Sequence, residues 1–169
     1  AEQEFGAREL GEPRRTRRLV KIVSDQAAQP GGSYSQASGG SRHDLKGYYR
    51  FLNNGREDLN LGGLLQTHRV QTIRRMKRES MALIVQDTSE LNFATRAACE
   101  GLGQIGRNQT GAQSRGLDLH SCLAVGGQSG LPLGVLRLHG YAPESAKGKN
   151  PHRPIQDKES YRWLEAYED

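Results

Sequence analysis

Apolar residues recur at helical spacing through the first half of the chain and switch to strand-like runs near residue 80. Pro13, with its fixed φ and missing N–H, suits the first position of a helix, which the pattern carries to about Gln29, before Pro30-Gly31-Gly32. At about 100° per residue, Arg14, Arg17, Arg18 and Lys21 share one face, and Leu19, Val20, Val23 and Ala27 share the other. The spacing thus predicts a helix that packs on a core while holding a row of cations in solvent. Residues 31–40 are Gly/Ser-rich and predict a loop. Ser41 with Asp44 three residues later is a capping-box variant, opening a helix through Tyr48, Tyr49, Phe51 and Leu52 that stops in a left-handed turn at Asn53-Asn54-Gly55. A third helical region spans about 57–78, with Leu61, Leu64, Leu65, Ile73 and Met76 as its apolar members and Gly62-Gly63 as a possible break.

From Met81 to Val85 the chain is continuously apolar, as expected of a central strand buried on both faces, and it delivers Gln86-Asp87-Thr88 at its end. A glycine-rich connection over about 100–116 follows. Then Leu117, Leu119, Ser121, Leu123 and Val125 alternate with Asp118, His120, Cys122 and Ala124, the pattern of a half-buried strand. Gly126 to Gly130 predicts a hairpin loop and Leu131 to His139 its return strand. Residues 142–154 predict a loose segment, and a last helix starts near Asp157 and carries Trp163 and Leu164. The resulting class is α+β: a helical domain over 1–79, then a strand-rich region over 80–169.

Composition changes this picture modestly. Hydrophobic content of 34% with 21 glycines, and a mean hydropathy of −0.76, are low for a compact globule of this length and point to a loop-rich or incomplete structure. No apolar run is long enough to span a membrane and no charged-then-apolar leader opens the chain, so a cytoplasmic location is expected. Cys99 and Cys122 form no metal-binding pattern and read as small hydrophobes. The net charge of +5 is a weak sign of a polyanionic partner. Its placement says more, because Arg14, Arg15, Arg17, Arg18 and Lys21 crowd one segment and Arg69, Arg74, Arg75, Lys77 and Arg78 another.

Two constellations carry chemistry. The arginine-rich face matches phosphate oxygens and guanine edges, while a merely solvated charged face is the alternative. Asp87, directly after an apolar strand, sits where open α/β sheets place ligands, and magnesium takes hard oxygen ligands of this type; the alternative is a turn cap acting through Thr88 and Ser89. Other patterns fail in context. Gly101-Leu-Gly103-Gln-Ile-Gly106 spells G-x-G-x-x-G without a strand before it or a convincing helix after it. The Asn108-Gln-Thr110 acceptor has no meaning in the cytoplasm, and the five histidines lack zinc spacing. Ser121 beside His120 has no nucleophile elbow around it, and His68 is expected to be packed or close to DNA.

In order along the chain, Glu4-Phe5-Gly6, the run Leu10-Gly11-Glu12-Pro13-Arg14-Arg15-Thr16-Arg17-Arg18-Leu19, Gly47-Tyr48-Tyr49-Arg50-Phe51-Leu52-Asn53, and His68 with Thr72-Ile73-Arg74-Arg75 resemble transposases of the transposon-five type, in the insertion-sequence-four family. Val85-Gln86-Asp87-Thr88-Ser89-Glu90-Leu91, Gly101-Leu-Gly103, Gly116-Leu117 with His120-Ser121, Leu133-Gly134-Val135-Leu136 and Asp157-Lys158-Glu159-Ser160-Tyr161-Arg162-Trp163-Leu164 continue the resemblance. It implies a helical domain that grips double-stranded transposon-end DNA through Arg14, Arg15, Arg18 and Arg50, with Arg42 in the same DNA-facing region. It also implies a ribonuclease-H-like α/β core whose first strand ends in Asp87, the first acid of a DDE triad holding Mg²⁺ or Mn²⁺ for DNA cleavage and strand transfer.

The sequence departs from that family in lacking the second Asp and the Glu of the Tyr-Arg-Glu-Lys signature. Tyr161-Arg162 followed by Glu165 has the wrong spacing for it. The expectation is therefore a truncated core, inactive alone, with the metal bound only in a complete site, and with an open sheet edge beside the Asp87 strand. A homodimer or mixed oligomer with full-length transposase, in a bacterial cytoplasm, fits this reading. Three functions remain open at this point: part of a cut-and-paste transposase, a non-catalytic DNA-binding module or inhibitor derived from one, and a decayed remnant.

Overall fold

The computed structural model describes residues 1–7, 10–56, 59–96, 98–107, 113–143, 154–158 and 160–168. The chain divides into two compact units, Ala1–Lys77 and Arg78–Asp169.

The first unit holds α1 (Glu2–Phe5), α2 (Pro13–Ala28), α3 (Tyr34–Ala37), α4 (Arg42–Leu52) and α5 (Leu61–Met76). Pro13 starts α2 after an extended Glu12 (φ −139°, ψ 133°). The residues that α2 buries are Leu19 and Ile22, with Val23 packed beside them, whereas Ala27 is exposed; the apolar stripe therefore runs about a quarter-turn away from the expected one. These join Leu10, Tyr48 and Phe51 in one core, against which Phe5, Leu59 and Leu64 pack. Fully burying side chains of this size contributes on the order of 1.5–3 kcal/mol each, so this cluster is the main cohesive element of the unit.

The expected loop over 31–40 contains α3. Ser33 Oγ accepts from the Gln36 amide at 3.3 Å and Gln36 Oε1 accepts from the Ser33 amide at 2.8 Å, a reciprocal cap that makes a single helical turn viable. Gly39 and Gly40, at φ 61° and 76°, then turn the chain into α4, a backbone path that side-chain-bearing residues rarely take. Ser41 caps α4 as expected, accepting from the Asp44 amide at 3.2 Å. The stop differs from expectation: Asn53 closes the helix at φ −87°, ψ 25°, with its amide on the Tyr49 carbonyl and no left-handed residue. Asn60, which the sequence did not single out, caps α5 by accepting from the Gly63 amide at 2.7 Å, and α5 runs unbroken through Gly62-Gly63. Residues 57–58, where that helix was expected to begin, lie outside the described residues.

Glu4 joins α1 to α5. Its carboxylate accepts from Arg75 Nη1 at 2.6 Å and lies 2.6 Å from His68 Nδ1, while Phe5 stacks on the His68 ring. Arg75 also donates to the fully buried Thr72 hydroxyl. His68 is thus packed inside the helical unit.

In the second unit, β1 (Ala82–Asn92), β3 (Gln113–Gly126) and β4 (Pro132–Tyr141) form an antiparallel sheet, with β2 (Gly103–Arg107) on the amino end of β3. Gly116 pairs with both Asn92 and Gly103. A strand has two edges, so β2 shares the β4 edge of β3, and β1 lies alone on the other. The sheet gains β2 inside the segment expected to be a connection.

Three expectations fail here. Met81 to Val85 is not buried on both faces: among the described residues β1 is a terminal strand, and Leu83, Ile84 and Val85 are about half exposed. Asp87 is not at a strand end but in mid-strand, opposite Ser121, because β3 is long enough to pair β1 through to Asn92. The burial of β3 is also inverted, since Asp118, His120, Cys122 and Ala124 are buried while Leu117, Leu119, Leu123 and Val125 are only partly so.

The cause of that inversion is α6 (Tyr161–Glu168), which follows a short 3-10 helix at Ile155–Asp157 and covers the His120 face. Trp163 meets the His120 ring edge-on at 5.1 Å, and Arg162 lies over the Tyr141 ring while contacting His139 Nε2 at 3.1 Å. The last helix thus begins later than expected. Cys99 is exposed, unlike the buried Cys122. Most of the segment expected to be loose (144–153), and Asn108-Gln-Thr110, lie outside the described residues.

Candidate nucleic-acid interface

Helix α4 sorts its residues cleanly. Tyr48 and Phe51 enter the core, while Arg42, Lys46, Tyr49, Arg50 and Asn53 are all exposed. At about 100° per residue these five fall on one stripe, flanked by the exposed His43, and the stripe carries no acid. Tyr34 of α3 stands beside it, edge-on to both Tyr48 and Tyr49 at 6.4 and 6.3 Å. Cations, an amide and aromatic faces on one side of an 11-residue helix are the groups that meet phosphates and base edges.

Helix α2 contributes differently. Arg14 and Arg17 are exposed, with Arg14 Nε 2.5 Å from Glu12. Arg15 is turned inward, donating to the Leu10 carbonyl at 3.1 Å and pairing with Glu12 at 3.4 Å. Arg18 reaches across to Asp44 at 3.2 Å, and Lys21 lies between Asp25 at 2.9 Å and Asp44 at 3.5 Å. Of the expected solvent-facing row of four cations, three (Arg14, Arg18 and Lys21) are therefore paired with carboxylates. The Tyr48 hydroxyl donates to the Asp25 carboxylate from below.

These contacts set the protonation of the pair. Hydrogen bonding to Asp25 raises Lys21 above its ordinary value despite some desolvation. At Asp44, desolvation pushes upward, but the Lys21 charge and the hydrogen bonds from Arg18, Lys21 and Ser41 outweigh it and hold the carboxyl below its ordinary 3.8.

Of the residues proposed for DNA contact, Arg42 and Arg50 share the α4 stripe, Arg14 lies one turn before Arg18 on the same row of α2, and Arg15 and Arg18 face the protein. Tyr49 belongs to the aromatic helix by which the sequence points to nucleic acid; Lys46 and Asn53 were missed, although their spacing from Arg42 (four and eleven residues) is legible in the sequence. The Asp44 carboxylate that restrains Arg18 had no local signal, because the two are 26 residues apart, whereas Asp25 stands at i+4 from Lys21.

Asp87 belongs to the second unit. Its side chain is exposed on the sheet face away from α6, in the row of Leu83, Val85 and Leu91, and Ser121 Oγ donates to its backbone carbonyl at 3.3 Å. As a residue within a paired strand it is not a turn cap. Among the described residues, no group of three or more His, Cys, Asp or Glu side chains is placed to hold a metal ion, and no helix is long and apolar enough to cross a membrane.

On the same sheet's other face, His120 Nδ1 meets the Thr88 hydroxyl at 2.8 Å and Nε2 meets Gln86 Oε1 at 3.0 Å. Burial, then Arg137, His139 and Arg162, push His120 below its ordinary 6.5, against a small opposing pull from Asp87. Burial, then Arg162 and Arg137, lower His139 likewise. Of this cluster only His120 is buried; Gln86, Thr88 and His139 are partly exposed.

Residues 1–56, which hold α1 to α4 and the whole basic stripe, match the family of transposase DNA-binding domains, and this supports the first unit as the DNA-binding portion of a transposase.

Proposed function

We propose that the helical unit binds double-stranded transposon-end DNA, and that the second unit is the first part of a ribonuclease-H-like core of the insertion-sequence-four, transposon-five type. The observation that carries the reading is the acid-free stripe Arg42, Lys46, Tyr49, Arg50 and Asn53, lying inside the matched segment. An exposed helix face of this composition fits a DNA groove, with Arg42, Lys46 and Arg50 bridging to phosphates and the guanidinium groups able to read guanine. The test is duplex binding as a function of salt. Replacing Arg42, Lys46 and Arg50 together by Gln should weaken binding and flatten the salt dependence by about 0.9 for each lost phosphate contact; unchanged affinity and slope would sink the reading.

In this proposal Asp87 is the first acid of a DDE triad. The antiparallel order of β4, β3 and β1, with Asp87 on the terminal strand, supports that placement. Asp87 would offer one carboxylate to Mg²⁺ or Mn²⁺, which in a complete site supplies Lewis-acid stabilisation of phosphodiester displacement. The described residues do not complete such a site, so the further acids would have to come from outside them, in the same polypeptide or in an oligomer with full-length transposase. That same observation favours a second reading, a non-catalytic DNA-binding module or inhibitor acting at transposon ends in the cytoplasm. Mg²⁺-dependent nicking of transposon-end DNA by the purified chain, lost in Asp87→Asn, would exclude this second reading.

A further inference from the structure

We infer that Asp44 is an internal competitor of DNA phosphate: it withholds Arg18 and Lys21 from the DNA-binding surface, and DNA must displace it to recruit them. The inference rests on the DNA-binding reading and deepens it.

Both oxygens of Asp44 are engaged, Oδ1 by Arg18 Nη1 at 3.2 Å and Oδ2 by Lys21 Nζ at 3.5 Å. The pairs are accessible rather than sealed, since the Arg18 and Lys21 side chains keep 26% and 42% of their surface in solvent. Ion pairs that keep this much contact with solvent are weak, so a phosphate of similar charge can match them.

The path of Arg18 is specific. Its guanidinium crosses α4 directly over Gly47, where a Cβ would come within 2.6–2.9 Å of its carbon and nitrogens. Going round α4, Gly47 lies between the Arg50 and His43 edge of the stripe and Asp44. A guanidinium released from Asp44 therefore comes free at the margin of the stripe, where the backbone of a bound duplex would run. His43, 3.5 Å from Asp44 and exposed, stands at the same margin. Asp25 holds Lys21 from the other side at 2.9 Å and is itself anchored by Tyr48, so Arg18, paired with Asp44, is the more readily recruited of the two.

A competitor and a structural staple predict opposite signs. If Asp44 competes, Asp44→Asn should bind a short mixed-sequence DNA duplex more tightly, by about two- to fivefold at low salt. It should also show a salt dependence between roughly 50 and 200 mM that is steeper by up to about 0.9 for each cation recruited. Gly47→Ala gives the same test without changing any charge: the new methyl displaces the flexible end of Arg18 from Asp44, and Ala favours the helix, so folding is not at risk.

Both gains should vanish when Arg18→Gln is added, and Asp44→Glu should keep the wild-type slope. Binding by Gly47→Ala that is unchanged or weaker than wild type, with the same or a shallower slope, would overturn the inference even if Asp44→Asn failed to fold. A wild-type chain that binds no duplex at low salt would instead overturn the DNA-binding reading beneath it.

Discussion

The two units treat their side chains in opposite ways. The helical unit places Leu10, Leu19, Ile22, Tyr48 and Phe51 inside and its cations outside or in ion pairs. The sheet unit buries Asp118 and His120 on one face and leaves Leu83 and Val85 about half exposed, and Leu91 more than a third exposed, on the other. Burial of apolar area is the dominant favourable term in folding, and the first arrangement supplies it in one cluster. Among the described residues, the second has an apolar face partly open to solvent and an unpaired β1 edge, the features of a surface that calls for further cover.

The comparison can be broken most directly in the helical core. Leu19→Ala should cost about 2–5 kcal/mol, read as an early loss of helical signal on thermal or urea unfolding; a cost under about 1 kcal/mol would mean that the core is not the cohesive element. Next, Glu4→Gln removes the charged acceptor of Arg75 and should cost about 1–3 kcal/mol, with α1 detaching from α5.

The pH response should then separate the units. Arg75 hydrogen bonding, reinforced by His68, outweighs desolvation and holds Glu4 below its ordinary 4.5. Its contribution is therefore present above that pH and lost only as pH falls through the depressed folded value. His120 and His139 lie below their ordinary 6.5, so their neutral forms stabilise the sheet unit fully above pH 6.5, and this is lost as pH falls through their folded values. Trp163, the single tryptophan, packs on His120, so its fluorescence should change at higher pH than the helical circular dichroism does. Coincident transitions would count against independent units. The smallest effect is expected at the bare face, where Leu83→Ser should change stability by no more than about 0.5 kcal/mol while reducing concentration-dependent light scattering.

Much of the helical unit was legible because its signals are local. Pro13, the Ser41–Asp44 cap and the helical spacing of apolar residues fixed α2 and α4 to within a residue or two. The sheet was legible as strands and not as faces. Periodicity marked β3 correctly, yet alternation does not say which face will be covered, and α6 covers the one with His120 and Asp118. The same limit applies to the interface, where arginine density was visible but the exposure of Arg42 and Arg50, against the inward commitment of Arg15 and Arg18, was not.

The sequence by itself determined where α2, α4, β3 and β4 lie to within a few residues, that cations crowd the amino-terminal half, and the family resemblance that the match over residues 1–56 supports as far as a transposase DNA-binding domain. Those properties depend on backbone geometry and side-chain type over short spans. Only the tertiary structure decided which cations face solvent, that Asp44 holds Arg18 across 26 residues, and that Asp87 lies mid-strand on an uncovered face. The Arg18–Asp44 pair and the choice of buried sheet face act through space between residues far apart in the chain, and no local pattern encodes them.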